Sequence, residues 1–408
     1  MTERNEKRIL FVHEKCGRDA GAEQNLLLTA EALHPDYHLE LLASEKTSKG
    51  QDIVDRVFDA VHLVPFSQDE KPLHKQLSSL LNDRRPDLIY MHKCLSIPVM
   101  EAVLDLGIPI VRMVHDHEVY CMRTYKYFPW SREVCHKKAG PCCIFPCLAF
   151  LKRDRNRGFP WMSWVSYPET QKRIQLDQQF DRQFVVTTYM RDELLLQGYA
   201  ADRIIINPPA PQTPKGVQVP PQKDRDLDTL LFVGQIIRGK GVDCLLKAVA
   251  KVQNPCKLLI VGEGSHRSYC EKLATQLGIS HKVHFEGYVP FEQVLTYYNR
   301  ALAGVVPSVW PEPIATVGLE MMHYGLPVVG FDSGGISDWL IDGETGYLIP
   351  WMDVTKMAEK IDLLLSQPDL AYQLGCAGQQ LVRSDFSFAS AMQRIKDTFE
   401  ELLIKQPA

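Results

Sequence analysis

Short runs of β-branched and aliphatic residues recur along this chain, each followed by a longer amphipathic stretch, and the whole pattern occurs twice. In the first half the strand-like runs are 9–13, 39–43, 88–92, 108–114 and 184–187, with helical patterns such as 22–33 and 73–81 between them. In the second half they are 230–233, 257–261, 283–285, 304–306 and 328–330. A strand that reads as a continuous apolar run is buried on both faces, and helices between such strands return the chain for a parallel partner. The pattern therefore predicts an α/β protein of two doubly wound domains. A length of 408 residues agrees, too long for one core and comfortable for two domains of roughly 200 residues each.

The halves part at Pro208-Pro209-Ala210-Pro211-Gln212-Thr213-Pro214, with Pro220-Pro221 beyond. Proline at this density continues neither a helix nor a central strand and reads as an extended linker. The expected division is a first domain over 1–207, a linker over 208–228, a second domain over 229–385 and a closing amphipathic helix within 386–408. An insertion over 116–173 stands apart by its cysteines and its basic and aromatic residues.

Charge narrows the function classes. A formal net charge of −4 excludes a partner held by bulk attraction to nucleic acid. No apolar run approaches the roughly 20 residues that span a bilayer. Acidic residues also sit where a secretory leader would be basic, so a cytoplasmic protein is expected. In that compartment the 11 cysteines do not read as a disulfide framework. Cys244, Cys256, Cys270 and Cys376 read as small buried hydrophobes.

The most informative segment is Pro311-Glu312-Pro313-Ile314-Ala315-Thr316-Val317-Gly318-Leu319-Glu320. A loop carries Glu312, and a helix starting near Ala315 carries Glu320. The helix N-terminus offers free N–H groups and partial positive charge to an anion. At helical rise the two carboxylates would be about 12 Å apart, enough to flank a diphosphate. Elsewhere, Gly234 ends a strand and leads through Gln235, Arg238 and Lys240 to Gly241, while Gly262-Glu263-Gly264 and Ser333-Gly334-Gly335 follow other strands. Glycine lets backbone approach a phosphate, Arg238 and Lys240 bring charge, and such loops lie where α/β sheets bind ligands.

Taken in order and spacing, these motifs, with Gly325-Leu326-Pro327-Val328-Val329 and Asp342-Gly343-Glu344-Thr345-Gly346-Tyr347-Leu348, resemble the C-terminal domain of retaining family-4 glycosyltransferases of the GT-B fold. The resemblance covers about 229–403. It implies two Rossmann-like domains facing across a cleft, with a last helix returning to the first. It also implies transfer of a hexose, with retained anomeric configuration, from a UDP- or GDP-linked sugar to a glycan or lipid-linked acceptor. The donor would meet Gly21, Gly234, Gln235, Gly262, Ile314, Ala315, Thr316 and Glu320, while Glu312, His115, Lys240 and Arg238 act on the reacting sugar and leaving diphosphate. Gln235 stands where the family usually has arginine, and Ala315 where it commonly has glycine. No paired-aspartate metal site is apparent, so Lys240, Arg238 and the helix N-terminus are expected to neutralise the leaving group without a metal cofactor.

The first half carries less. Cys16-Gly17-Arg18-Asp19-Ala20-Gly21-Ala22-Glu23 follows the first strand, as a cleft loop or a plain turn. His115 in Val114-His115-Asp116-His117-Glu118 takes its role from the resemblance, whereas His117 has none. Among Cys121, Cys135, Cys142, Cys143 and Cys147, loose spacing is compatible with a structural zinc held by Cys121, Cys135, Cys142 (or its neighbour) and Cys147, or with free thiols. Phe150-Leu151-Lys152-Arg153-Asp154-Arg155-Asn156-Arg157-Gly158-Phe159-Pro160-Trp161, then Trp164, suits an anionic membrane surface at the inner leaflet or a solvated basic face. Two other readings of the chain are a silent nucleotide-sugar-binding protein and a GT-B hydrolase or epimerase of the nucleotide sugar.

Overall fold

The computed structural model describes residues 7–17, 21–66, 70–128, 130–153, 162–211 and 225–404. Most of the proline-rich linker, the middle of the basic-aromatic stretch, the loop at 18–20 and the start of the chain lie outside the described residues. The chain divides into two compact units. One comprises Met1–Lys126, His136–Asn207 and Ala389–Ala408, and the other Tyr127–Cys135 and Pro208–Phe388.

The first unit is built from β1 (Arg8–Cys16), α1 (Gly21–Leu33), β2 (His38–Lys46), α2 (Gln51–Val57), β3 (Ala60–Leu63), α3 (Glu70–Asp83), β4 (Leu88–Met91), α4 (Ile97–Leu104) and β5 (Ile110–Val114). A short antiparallel pair, β6 (Leu151–Arg153) and β7 (Met162–Trp164), lies in the insertion. Then follow α5 (Tyr167–Asp177), β8 (Arg182–Val185), α6 (Thr188–Gln197) and β9 (Ile204–Ile206). The sheet order is β3-β2-β1-β4-β5-β8-β9, and every pairing is parallel. Its core joins Leu10 and Val12 to Ile89, Met91, Val99 and Val103.

The second unit repeats the plan: β10 (Asp226–Val233), α7 (Val242–Val249), β11 (Lys257–Val261), α8 (Arg267–Gln276), β12 (Val283–Gly287), α9 (Phe291–Arg300), β13 (Ala301–Val306), α10 (Thr316–His323), β14 (Val328–Phe331), β15 (Gly346–Ile349), α11 (Val354–Ser366) and α12 (Pro368–Asp385). Its parallel sheet runs β12-β11-β10-β13-β14-β15. Both sheets thus place the first strand beside the fourth of their own unit. Strand order reverses there, and such a point opens a crevice at the carboxyl ends of the strands.

The last helix, α13 (Phe388–Ile404), belongs to the first unit. Phe399 is fully buried, its ring 5.3 Å from Tyr90 and 6.3 Å from Tyr37. Arg394 Nε donates to Asn207 Oδ1 at 2.9 Å, and Arg182 pairs with Glu401 at 2.7 Å. The two doubly wound α/β sheets match the expected fold class. Besides the β6–β7 pair, three strands of the two parallel sheets carried no sequence signal strong enough to expect them. Of these, β3 is a half-exposed edge, β9 is partly exposed, and β15 opens on glycine.

Candidate donor site

In the second unit β10 and β13 are the neighbours at the reversal point, and the candidates cluster on the loops that leave them. After β10, Gly234 leads to a single 3-10 turn at Arg238–Lys240. After β13, the chain runs from Pro307 to Ala315 and enters α10. Backbone ties these loops together: Val309 and Trp310 N–H both donate to the Gly239 carbonyl, at 2.9 and 3.1 Å. Gly241 follows with φ +69°, and a Cβ there would stand 1.8 Å from the Pro307 oxygen. No side chain fits, so the approach depends on glycine. Gly262, after β11, is under the same constraint, with φ +140° and a Cβ position 1.9 Å from the Gly234 oxygen.

This framework brings Lys240 Nζ to 2.7 Å from Glu312 Oε1. Ser308 Oγ and Trp310 Nε1 donate to the same oxygen, at 2.5 and 2.6 Å. The ammonium also lies 5.2 Å from the Trp310 ring centroid. Glu312 is only 3% exposed, and its backbone is fixed to the loop after β14: its N–H donates to Ser333 O at 3.3 Å and its carbonyl accepts from Gly335 at 2.7 Å. A buried carboxylate with three donors on one oxygen is held in one orientation. Because all three converge on Oε1, Oε2 is left to accept from hydroxyl groups.

Glu320 lies in α10, buried, with Tyr298 of α9 donating its hydroxyl to Oε2 at 2.8 Å. Burial pushes this carboxyl up to about 7, and the tyrosine bond opposes the rise. Glu320 and Glu312 are therefore different acids: one is held by charge, the other by a single neutral donor. Ala315, at the entry to α10, has φ +56° and ψ +65°. That is the left-handed region, where a non-glycine residue is disfavoured by about 1–2 kcal/mol. Ile314 and Ala315 are buried and Thr316 exposed, and Trp339 Nε1 pins the Ile314 carbonyl at 2.6 Å.

Gln235 is exposed, as is Arg238, whose Nη2 donates to the Trp130 carbonyl at 3.4 Å. Trp130 belongs to the hairpin Tyr127–Cys135, which comes from the first half of the sequence yet is part of this unit. Arg132 in the same hairpin is buried against Asp243 of α7 at 2.9 Å. Ser308, Trp310 and Tyr298 hold the two carboxylates, and none of them was among the sequence candidates. The first two are four and two residues before Glu312 and could have been noticed. Tyr298 is on a different helix, with no local signal.

In the first unit His115 follows β5, and its Nε2 is 3.1 Å from His92 Nδ1. Burial pushes His115 down to about 3, so it is neutral. His117 bonds the Tyr120 hydroxyl at 2.8 Å, a packing role. Asp116 caps the Glu118 N–H at 2.8 Å, and Lys93 pairs with Glu118 at 3.0 Å. Gly21 opens α1 with nothing within 4 Å of a Cβ position, whereas one on Gly17 would meet Thr47 Oγ1 at 1.8 Å. The crowded glycine of that loop is thus Gly17.

None of the cysteines of the insertion is joined in a disulfide. Cys121, Cys142 and Cys147 are near enough to Cys143 to disfavour its thiolate, and burial pushes it up to about 11. Cys135 belongs to the other unit. Among the described residues no group of three or more His, Cys, Asp or Glu is gathered to hold a metal ion. Likewise, no described helix is long and apolar enough to cross a membrane.

Residues 218–381 match the sequence model of Glycosyl transferases group 1. Over 143 residues the chain is 36% identical to an uncharacterized glycosyltransferase of Methanocaldococcus jannaschii, covering 35% of this chain and 36% of that one. Over 157 residues it is 37% identical to a D-inositol 3-phosphate glycosyltransferase of Frankia alni, covering 36% and 38%. The chain thus spans well under half the length of these two relatives. Across 97% of its length it is similar to the crystal structure of Anabaena HepE in complex with UDP and glucose, with TM-score 0.71, 16% identity and all of that chain covered. The apo lipopolysaccharide outer core galactosyltransferase WaaB gives TM-score 0.70 at 16% identity, over 97% of this chain and 99% of that one. Likeness at such identity shows the shared GT-B fold.

Proposed function

We propose that the chain, whose residues 218–381 match the model of Glycosyl transferases group 1, is a retaining glycosyltransferase that moves a hexose from a nucleotide-diphosphate sugar to a glycan or lipid-linked acceptor. The observation that carries this reading is the Lys240–Glu312 clamp, set at the reversal point of the sheet and framed by glycine loops. Glu312 Oε2 orients sugar hydroxyls. Lys240 keeps two N–H donors beyond its bond to Glu312 and turns them toward the diphosphate. The N-terminus of α10 adds its free N–H groups to the leaving oxygens, and Glu320 meets ribose hydroxyls. Preorganised charge aimed at a leaving group is worth about 3–4 kcal/mol per key group. HepE has been crystallised with UDP and glucose, which supports a donor of the same class.

Arg238 supplies charge that Gln235 lacks. No metal cofactor is invoked, so turnover should persist in EDTA; complete loss restored by Mg²⁺ or Mn²⁺ would contradict it. The experiment that tests the donor reading is a thermal-shift screen across UDP-, GDP- and ADP-sugars, because a ligand of the native state raises its melting temperature. NMR of the product on a model acceptor then gives the anomeric configuration. We place the protein in the cytoplasm, at the inner face of the membrane. That placement is supported by the exposed Phe145 and by Trp164 stacked on Phe150 at 5.6 Å beside a basic stretch. Sedimentation with anionic vesicles at low salt tests it.

A further inference from the structure

Three histidines of the first unit stand at its own reversal point: His13 in β1, His92 just after β4 and His115 just after β5. We propose that His92 is a positioning residue that fixes the tautomer of His115, leaving His115 with an Nδ1–H donor as the only proton it can offer a ligand. The proposal deepens the transferase reading and rests on it for the ligand, an oxygen-rich sugar.

The His92 ring is fully buried and held from several sides. The His92 backbone N–H donates to Val12 O at 2.9 Å, and around the ring Tyr90 packs edge-on at 4.4 Å while Phe11 stacks at 5.8 Å. Burial keeps it neutral, as it does His115. Two neutral imidazoles joined at 3.1 Å share one proton across the contact, so one donates and one accepts. His92 Nε2 decides which. It is buried with no hydrogen-bond partner. A proton placed there would be an orphaned donor, whereas a proton on Nδ1 is satisfied by His115 and leaves only a bare lone pair. A buried donor without an acceptor is the costlier arrangement. His92 Nδ1–H therefore donates to His115 Nε2, and the His115 proton resides on Nδ1, on the far side of the ring.

His13 is set the opposite way. Its Nδ1 accepts from the Lys15 N–H at 2.9 Å, which forces its proton onto Nε2 although that atom is buried beyond hydrogen-bond distance of an acceptor, with the Glu23 carboxylate 4.0 Å away to attract it. His13 thus takes its tautomer from a backbone N–H, whereas His115 takes its own from the His92 ring.

Long-range ¹⁵N–¹H correlation spectra of the free, histidine-labelled protein test this directly, with His115 assigned by its loss in His115→Gln. The wild type should show His115 protonated at Nδ1 and bare at Nε2. His92→Asn, whose amide keeps a donor near the Nδ1 position, should preserve that pattern, and His92→Leu should mix the two tautomers. With UDP-glucose and a model acceptor, His92→Leu should lower kcat about tenfold or more with KM little changed, and His92→Asn should recover most of it. A His115 Nε2–H in the wild type overturns the inference, as does unchanged kcat in His92→Leu. The expected tautomer in a protein that turns over no nucleotide sugar supports the inference and tells against the transferase reading instead.

Discussion

Removing the charge from either end of the Lys240–Glu312 contact should be harmful, and removing it from both should be less harmful to stability than the single changes suggest. In Lys240→Met the Glu312 carboxylate stays buried with Ser308 and Trp310 as its remaining donors. Loss of one partner of a buried ion pair costs about 3–5 kcal/mol when the other is stranded. Here two neutral donors remain and the lysine side chain is 22% exposed, which brings the expected loss to about 2 kcal/mol. Glu312→Gln strands a cation that water can reach, so about 1 kcal/mol is expected. The double variant strands neither charge and should be destabilised by about 1 kcal/mol, giving a coupling near 2 kcal/mol in the cycle. Urea unfolding followed by tryptophan fluorescence measures all four proteins. Turnover should behave differently: each single change should lower kcat about 100-fold or more, and the double should recover nothing. Strict additivity in stability would refute the claim that the 2.7 Å contact couples them, and full turnover by Lys240→Met would remove it from the leaving-group chemistry.

Glu320 makes a pH prediction. Its folded carboxyl is raised from 4.5 to about 7, so the folded state binds that proton more tightly than the unfolded state does. The stability this contributes is present below pH 4.5 and lost as pH rises through 7. Glu320→Gln should therefore gain on the wild type across that window, by about 3 kcal/mol at most; parallel stability curves would show that the carboxyl titrates normally. Ala315→Gly relieves the left-handed backbone but loosens the unfolded chain, so its melting temperature should equal or slightly exceed the wild type, and a loss above about 1 kcal/mol would contradict the strain. Gly318→Ala places a Cβ 2.1 Å from Trp339 Cη2, in a ring that is fully buried. Overpacking of about 1–3 kcal/mol should follow, with weaker nucleotide-sugar binding because the displaced indole holds Ile314; a variant as stable and as tight as the wild type would show that the helix adjusts freely.

The strands buried on both faces could be read from composition because their central residues must be apolar: 257–261, whose exposed Lys257 only opens the strand, and 328–330 reappear almost unchanged in β11 and β14. Edge strands escape that rule. In β3, Ala60-Val61-His62-Leu63 is only partly covered and carries too little apolar pattern to stand out. The carboxylates Glu312 and Glu320 were visible because motif spacing marks them, but their unlike environments were not. Those depend on Tyr298 and Trp310, brought in by tertiary packing. Ala315 was visible as a departure from glycine, and only the backbone reveals its positive φ. Nothing local in Tyr127–Cys135 foretold that it would join the second unit, since the Arg132–Asp243 pair joins residues 111 apart.

The return of α13 to the first unit has a consequence for how the protein is made. A ribosome releases Arg8 well before Phe399, so the sheet that begins at Arg8 is missing the helix bearing Phe399 until the second unit's strands have all been made. The second unit, in turn, needs a hairpin emitted before its own sheet. The unit synthesised first is thus the one completed last, and cutting the gene at the proline-rich boundary would yield two incomplete fragments rather than two domains.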